Sequence, residues 1–198
     1  MSLELAAVAI VAYLIGSVPF GMILIASAGL GDIRKLGSGN IGATNVLRTG
    51  RRGLAAATLL LDGLKGAAAV WIGAAILHGP LAAAVAGICA ALGHCFPVWL
   101  RFAGGKGVAT MLGIALAFDW RVALLCCTLW IALARLTRIS SAGGIGAALA
   151  LPAALFILDG TGPVAWSGLL VSLLVLLRHH ANIGRLLTGT EPRIGGRA

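Results

Sequence analysis

Long runs without Asp, Glu, Lys or Arg divide this chain, and their lengths predict helices that cross a membrane. Positions 5–31 carry no formal charge, enough helix for about 40 Å against an apolar layer of about 30 Å. Only Glu4 charges the short stretch before that run, with no basic lead-in. It therefore reads as a span rather than a cleaved leader, despite the small residues Ala26-Ser27-Ala28. The run 66–100 is too long for one straight crossing, and His78-Gly79-Pro80 breaks it into a helical hairpin. Its first arm begins near Leu54, which takes Asp62 and Lys65 into or near the apolar layer at i, i+3, a spacing suited to a structural pair. Further spans are expected at 107–118, 122–134, 139–158 and 160–177. The first two supply only about 18 and 20 Å of helix, so they borrow flanking residues or are joined by chain that dips into the membrane where protein or water lines it.

This pattern predicts an all-α integral membrane protein, a polytopic bundle of about seven transmembrane helices forming one membrane-embedded domain over 1–198. With the N-terminus outside and the C-terminus cytoplasmic, Arg34, Lys35, Arg48, Arg51, Arg52, Arg101, Lys106, Arg135, Arg138, Arg178, Arg185, Arg193 and Arg197 fall inside. These are all of the 15 Lys and Arg except Lys65, near that side, and Arg121, outside. Asp119 and Asp159 fall at outer turns.

Composition sharpens the picture. At 60% hydrophobic and 11% charged residues, with a mean hydropathy of +1.02, the chain has more apolar surface than a soluble domain of its size could hide, and disorder and collagen are excluded. The net charge of +9 would suggest nucleic acid in a soluble protein. Here the cations flank apolar blocks without interleaved aromatics, so no nucleic-acid partner is expected. The many Gly and Ala suit close helix packing. Cys89, Cys95, Cys126 and Cys127 form no CxxC pair and read as reduced packing residues.

Three polar segments on the basic side carry the candidate chemistry. The first, GSGNIGATNVLR at 37–48, contains GxGxxG, but it follows a predicted membrane helix rather than a strand and is no dinucleotide fingerprint. Its small residues can form an anion nest around Ser38, Gly39, Asn40, Thr44 and Asn45, with Arg48 as cation, an inventory that suits phosphate. A polar turn capping the next helix is the other reading. The second, GHCFPVWLRFAGGKGVAT at 93–110, lacks Walker A spacing. Gly104, Gly105 and Gly107 around Lys106 nevertheless let N–H groups and a movable charge converge on an anion at a helix start. His94 reads as a capping or satisfied core histidine, and with no acidic residue nearby in sequence no metal site is expected. The third, RHHANIGRLLTGTE at 178–191, begins a polar helix on which His179, Asn182 and Arg185 recur at i, i+3 and i+6 and share a face. A helix held on the membrane surface by anionic lipid is its alternative.

In this order the three segments resemble the motifs of the bacterial acyl-phosphate:glycerol-3-phosphate acyltransferase family, whose seven-helix plan with the N-terminus outside fits nearly the whole chain. The resemblance implies transfer of a fatty acyl group from acyl phosphate to the sn-1 hydroxyl of glycerol 3-phosphate. The products are lysophosphatidic acid and inorganic phosphate, made at the cytoplasmic side of the bacterial inner membrane for phospholipid synthesis. It further implies Ser38, Arg48, Lys106, His179 and Asn182 as active-site residues. Gly39, Asn40, Thr44, Asn45, Gly104, Gly105, Gly107 and Arg185 would hold substrate phosphate, with His179 orienting Ser38. No cofactor is implied. Membrane lipid, and a partner enzyme that forms acyl phosphate, are compatible partners. The family has Pro where this chain has Ile41, from which a slightly looser loop is expected, and its Arg-His-x-x-Asn spacing assigns the inward position to His179 rather than His180. Without the resemblance, a transporter for a phosphorylated metabolite would use similar anion sites, although it needs polar chemistry on both faces. A non-enzymatic lipid-binding subunit would not need Ser38, Lys106 and Asn182 to converge.

Overall fold

The structure, a computed structural model, describes residues 2–195; the predicted cytoplasmic Arg197 lies outside them. The described residues form ten α-helices and two short 3-10 turns, with no strand. The first apolar run is two helices, α1 (Leu3–Ser17) and α2 (Phe20–Ser27), that count together as one crossing. Pro19, which has no N–H to donate, separates them. The run ends earlier than 31 because Gly29 and Gly31 take φ of 71° and 77°, left-handed geometry that no helix continues through. After α3 (Ala43–Arg48), the expected hairpin is present as α4 (Arg52–Ile76) and α5 (Pro80–Cys95), turned at Gly79 with Pro80 in the first helical turn.

The two short segments resolve differently. The segment expected at 122–134 borrows flanking residues at both ends to become α7 (Trp120–Thr137), its start capped by Asp119, whose side chain accepts from the Arg121 N–H. Its neighbour α6 (Val108–Phe118) stays short at 11 residues. The chain continues through α8 (Ser140–Asp159) and α9 (Pro163–Arg178), then bends by 61° into α10 (His180–Leu187). By length and hydropathy five crossings stand out, six with the bent α9–α10 pair, and α6 is a shorter apolar helix besides.

Helix α5 packs on α1, α4 and α9, while α4 also carries α6, and α7, α8 and α9 pack in sequence. The packing is close because small residues let backbones meet. A methyl on Gly16 would strike the Ala90 carbonyl, one on Gly113 the Gly63 carbonyl, and one on Gly66 the Thr110 carbonyl. The interior is accordingly Ala-rich, with Met111, Ile114, Leu151 and Val171 filling gaps, while Leu60, Trp71, Leu124 and Ile157 face outward as lipid contact requires. Pro152 sits inside α8 and leaves the Ala148 carbonyl without its helical donor. Ser172 of α9 donates its hydroxyl to that carbonyl, so the interruption is repaired across the interface. The Asp62–Lys65 pair forms as expected at 2.6 Å, both side chains buried, and Lys65 Nζ also donates to the Val18 carbonyl, 2.7 Å away at the α1–α2 break. All four cysteines are free.

Candidate active site

The first polar segment is built on a small apolar cluster of its own, in which Ile25, Ile33, Ile41, Val46 and Ala55 are buried. Ile41, at 3% exposure, packs its side chain into that cluster. Asn45, also buried, organises the rest. Its Oδ1 accepts the Ser38 N–H at 2.9 Å, and its Nδ2 donates to the carbonyls of Ile33, Leu36 and Asn40 at 3.1, 2.9 and 2.9 Å. Asn40 Oδ1 accepts the Gly42 N–H at 2.8 Å. Both amides are thus engaged in shaping the loop, and the Ser38 and Gly42 N–H groups are engaged with them. What the loop presents outward is the exposed Ser38 hydroxyl, Thr44 and Arg48, whose Cδ lies beside Gly37.

The second segment also consumes part of its expected nest. The Gly104 and Gly105 N–H groups turn back to the Cys95 and His94 carbonyls at 3.2 and 3.0 Å, so the anion-facing N–H groups narrow to those from Lys106 into the start of α6. The Gly105 and Gly104 carbonyls are held by Arg178 Nε and Nη2 at 3.1 and 3.0 Å. Arg178 also stacks over the Phe96 ring, 5.2 Å from its centroid. Clamped on both sides, this turn delivers Lys106 half-buried and, among the described residues, without a salt bridge. Burial lowers the pKa of Lys106 from its ordinary value; Glu191 opposes that shift, and Arg185, Arg48 and Arg178 reinforce it.

The third segment divides its doubled histidine. His179 is buried with Nδ1 2.8 Å from the Val175 carbonyl, whereas His180 is exposed. The Nε2 of His179 faces Gly144 near the start of α8, where a methyl would stand 3.4 Å away. Among the described residues no hydrogen bond joins His179 to Ser38. Asn182 and Arg185, one turn apart on α10, converge on Glu191. Asn182 Nδ2 and Ser141 Oγ (2.6 Å) donate to its Oε1, and Arg185 Nε donates to Oε2 at 2.7 Å. Burial pushes the Glu191 carboxyl up, but these donors outweigh it and leave the group below its ordinary 4.5.

The three segments meet. Arg48 from the first and Arg185 and Glu191 from the third all act on the charge of Lys106 in the second. Thr44 Oγ1 of the first lies 3.0 Å from Ser140 Oγ of α8, and Ser141 beside it reaches Glu191. Arg48, Lys106, Arg178 and Arg185 against the single Glu191 make a cationic site, with Ser141 and Asn182 on the Glu191 carboxylate and His179 facing Gly144. Such a cleft can hold phosphate and stabilise developing negative charge. Sequence reading missed the Ser140-Ser141 wall, the Arg178 clamp and Glu191 as the shared acceptor. The serine pair before an apolar run and the one carboxylate in a basic stretch were visible signals for two of these. His94 departs from the satisfied core histidine that was expected: it is buried, but its Nδ1 has no hydrogen bond among the described residues and lies 3.8 Å from Asp62 Oδ1.

Fold and cleft together define a multi-pass membrane protein with a cationic polar site beside its apolar bundle. Comparison with known proteins makes the class specific. The family model described as glycerol-3-phosphate acyltransferase matches residues 6–189, and the chain belongs to that family. It is 56% identical to the glycerol-3-phosphate acyltransferase of Gluconobacter oxydans (strain 621H), over 96% of this chain and 93% of that protein. To the enzyme of the same name from Mesorhizobium japonicum it is 52% identical, over 93% of each. Among solved structures, PlsY, described as an integral membrane glycerol 3-phosphate acyltransferase, superimposes in its glycerol 3-phosphate form with a TM-score of 0.90 at 36% identity, covering 96% of both chains. The lysophosphatidic acid form of PlsY gives 0.89 at 34% identity, covering 96% of this chain and 94% of the other.

Proposed function

We propose that this chain transfers a fatty acyl group from acyl phosphate to the sn-1 hydroxyl of glycerol 3-phosphate, giving lysophosphatidic acid and inorganic phosphate. The observation that carries the reading is the convergence of the three polar segments, the first joined to the third through Thr44–Ser140 and Ser141–Glu191 and the third to the second through Arg178 and the Gly104 and Gly105 carbonyls. Both proposed substrates bear phosphate, and a cationic cleft suits them. Family membership supports the acceptor, as do the two PlsY structures, one in a glycerol 3-phosphate form and the other in a lysophosphatidic acid form. The motif resemblance supports acyl phosphate as donor. A bundle with many outward apolar side chains beside the cleft supports a lipid product.

Acyl phosphate is an activated mixed anhydride, so the sn-1 oxygen can attack the acyl carbonyl carbon directly. A carbon–oxygen bond forms, the tetrahedral oxyanion collapses, the bond to the phosphate oxygen breaks, and phosphate departs. Lys106 and Arg48 stabilise phosphate charge, while Ser38, Asn182 and nearby N–H groups orient the carbonyl and the oxyanion. The attacking hydroxyl gives its proton to a substrate phosphate, because Glu191 is engaged by three donors and held ionised by them rather than poised as a base. His179 stands at the α9–α10 bend with Nδ1 on the Val175 carbonyl. The chain works as a single domain of seven crossings, α6 being the seventh, with the N-terminus outside, in the bacterial inner membrane and with its cleft on the cytoplasmic face. The chemistry requires neither metal nor coenzyme.

Purified protein given palmitoyl phosphate and glycerol 3-phosphate, without metal or coenzyme A, is expected to release phosphate and form lysophosphatidic acid in equal amounts. Transport of labelled glycerol 3-phosphate into liposomes with neither product would replace the enzyme with a transporter. Trapping of an acyl-Ser38 adduct would replace direct transfer with a covalent route.

A further inference from the structure

We infer that His94, packed between the buried Asp62–Lys65 pair and Gly105, is a positioning residue for Lys106, acting through the Gly104–Gly105 turn. The inference rests on the proposed phosphate role of Lys106. The helix pair α4–α5 brings together three ionisable side chains that the cleft itself does not use, all at most 5% exposed: Asp62, Lys65 and His94. An ion pair so deep costs several kcal/mol of desolvation that its attraction only roughly returns, so its retention calls for a role beyond stability. Its geometry supplies one. Asp62 Oδ1, already bonded to Lys65, lies 3.8 Å from His94 Nδ1, a buried nitrogen with no hydrogen-bond partner among the described residues. The opposite edge of the same ring faces Gly105, where any side chain would run into Nε2. The His94 carbonyl meanwhile accepts the Gly105 N–H at 3.0 Å.

The imidazole thus fills the space between a buried carboxylate in the membrane layer and the glycine that precedes Lys106. Arg178 presses on the turn from the other side through both glycine carbonyls, so the lysine is delivered from a vice with His94 as one jaw. Lys65, bonded to the Val18 carbonyl, ties the far end of this chain to the α1–α2 break. Support of this kind sets the position of a group that meets substrate without touching substrate itself.

The test uses the full chain in detergent with two readouts, steady-state kinetics and the rate at which an amine-reactive reagent modifies Lys106, read by mass spectrometry. Replacing His94→Ala or Asp62→Asn is expected to raise KM for glycerol 3-phosphate about tenfold, with a smaller change in kcat, and to alter Lys106 labelling in protein that stays folded. Gly105→Ala, which pushes a methyl onto Nε2, is expected to do the same with the ion pair intact. Combining it with His94→Ala opens room for the methyl and restores part of the loss, a non-additivity that a general destabilisation would not produce. His94→Gln, which keeps a neutral polar side chain in the space, is the conservative rescue and retains most of the wild-type KM, while Asp62→Asn carries the test if His94→Ala does not fold. Wild-type KM and labelling in folded His94→Ala and Asp62→Asn, or strict additivity with Gly105→Ala, would overturn the inference. If the wild type itself makes no product, the proposed reaction fails, while the labelling readout still decides whether His94 sets the position of Lys106.

Discussion

Lys106 is the residue at which burial and function pull against each other. Burial in a cleft with three arginines favours its neutral form, against the attraction of Glu191, so its pKa lies below the ordinary 10.5. The charged form is present below that lowered pKa and is lost as pH rises through it. Activity is therefore expected to fall on the alkaline side earlier than an exposed lysine would dictate, and Lys106→Arg should move this limb upward, since guanidinium stays charged. A kcat/KM profile from about pH 7 to 11 checks both. Lys106→Ala should lose about 10²–10³ in kcat with an unchanged melting temperature, and full turnover would remove the second segment from the site. Glu191 behaves oppositely. Its carboxyl is held below 4.5, so its links to Ser141, Asn182 and Arg185 persist through neutral pH and loosen only as pH falls through the lowered pKa. At this scale, residue type and spacing singled out Arg48, Lys106 and Arg185 but not Arg178. They did not reveal that Asn45 is enclosed by its own loop, because four partners spread over 33–40 became visible only when the loop closed.

At the scale of elements, charge-free runs located the membrane helices, and Gly or Pro marked most of their ends. The α4–α5 hairpin was legible because Gly79 and Pro80 act locally. The division of the first run into α1 and α2 was not foreseen, although Pro19 stands in it, since proline in a membrane helix may kink or break depending on who satisfies the freed backbone. Here Lys65 takes the Val18 carbonyl. The same logic makes α8 testable. Ser172→Ala leaves the Ala148 carbonyl bare beside Pro152 and is expected to cost about 1–3 kcal/mol of stability. In a Pro152→Ala background the helix supplies its own donor, and the same change should cost much less. Unfolding of the four proteins in detergent gives the comparison as a double-mutant cycle.

For the whole molecule, the distribution of Lys and Arg argues that the cleft faces the cytoplasm. Alkaline phosphatase, active only outside, is expected to be active when inserted at the Asp159–Gly162 turn and silent when fused after Glu191; the reverse pattern would invert the bundle. Hydropathy, charge bias and three motif strings by themselves determined that this chain is a helical membrane protein, that its chemistry lies on one face, and to which family it belongs. Those properties depend on composition and on short-range order, which a linear chain carries openly. Only the tertiary structure decided that Ser140 and Ser141 close the cleft, that Glu191 gathers three donors, that Arg178 clamps the Gly104–Gly105 turn, and that His94 meets Asp62. Asp62 and His94, like Thr44 and Ser140, lie far apart along the chain on separate elements. Their meeting depends on how closely helices approach where glycines remove the side chains between them, a distance set by packing in three dimensions.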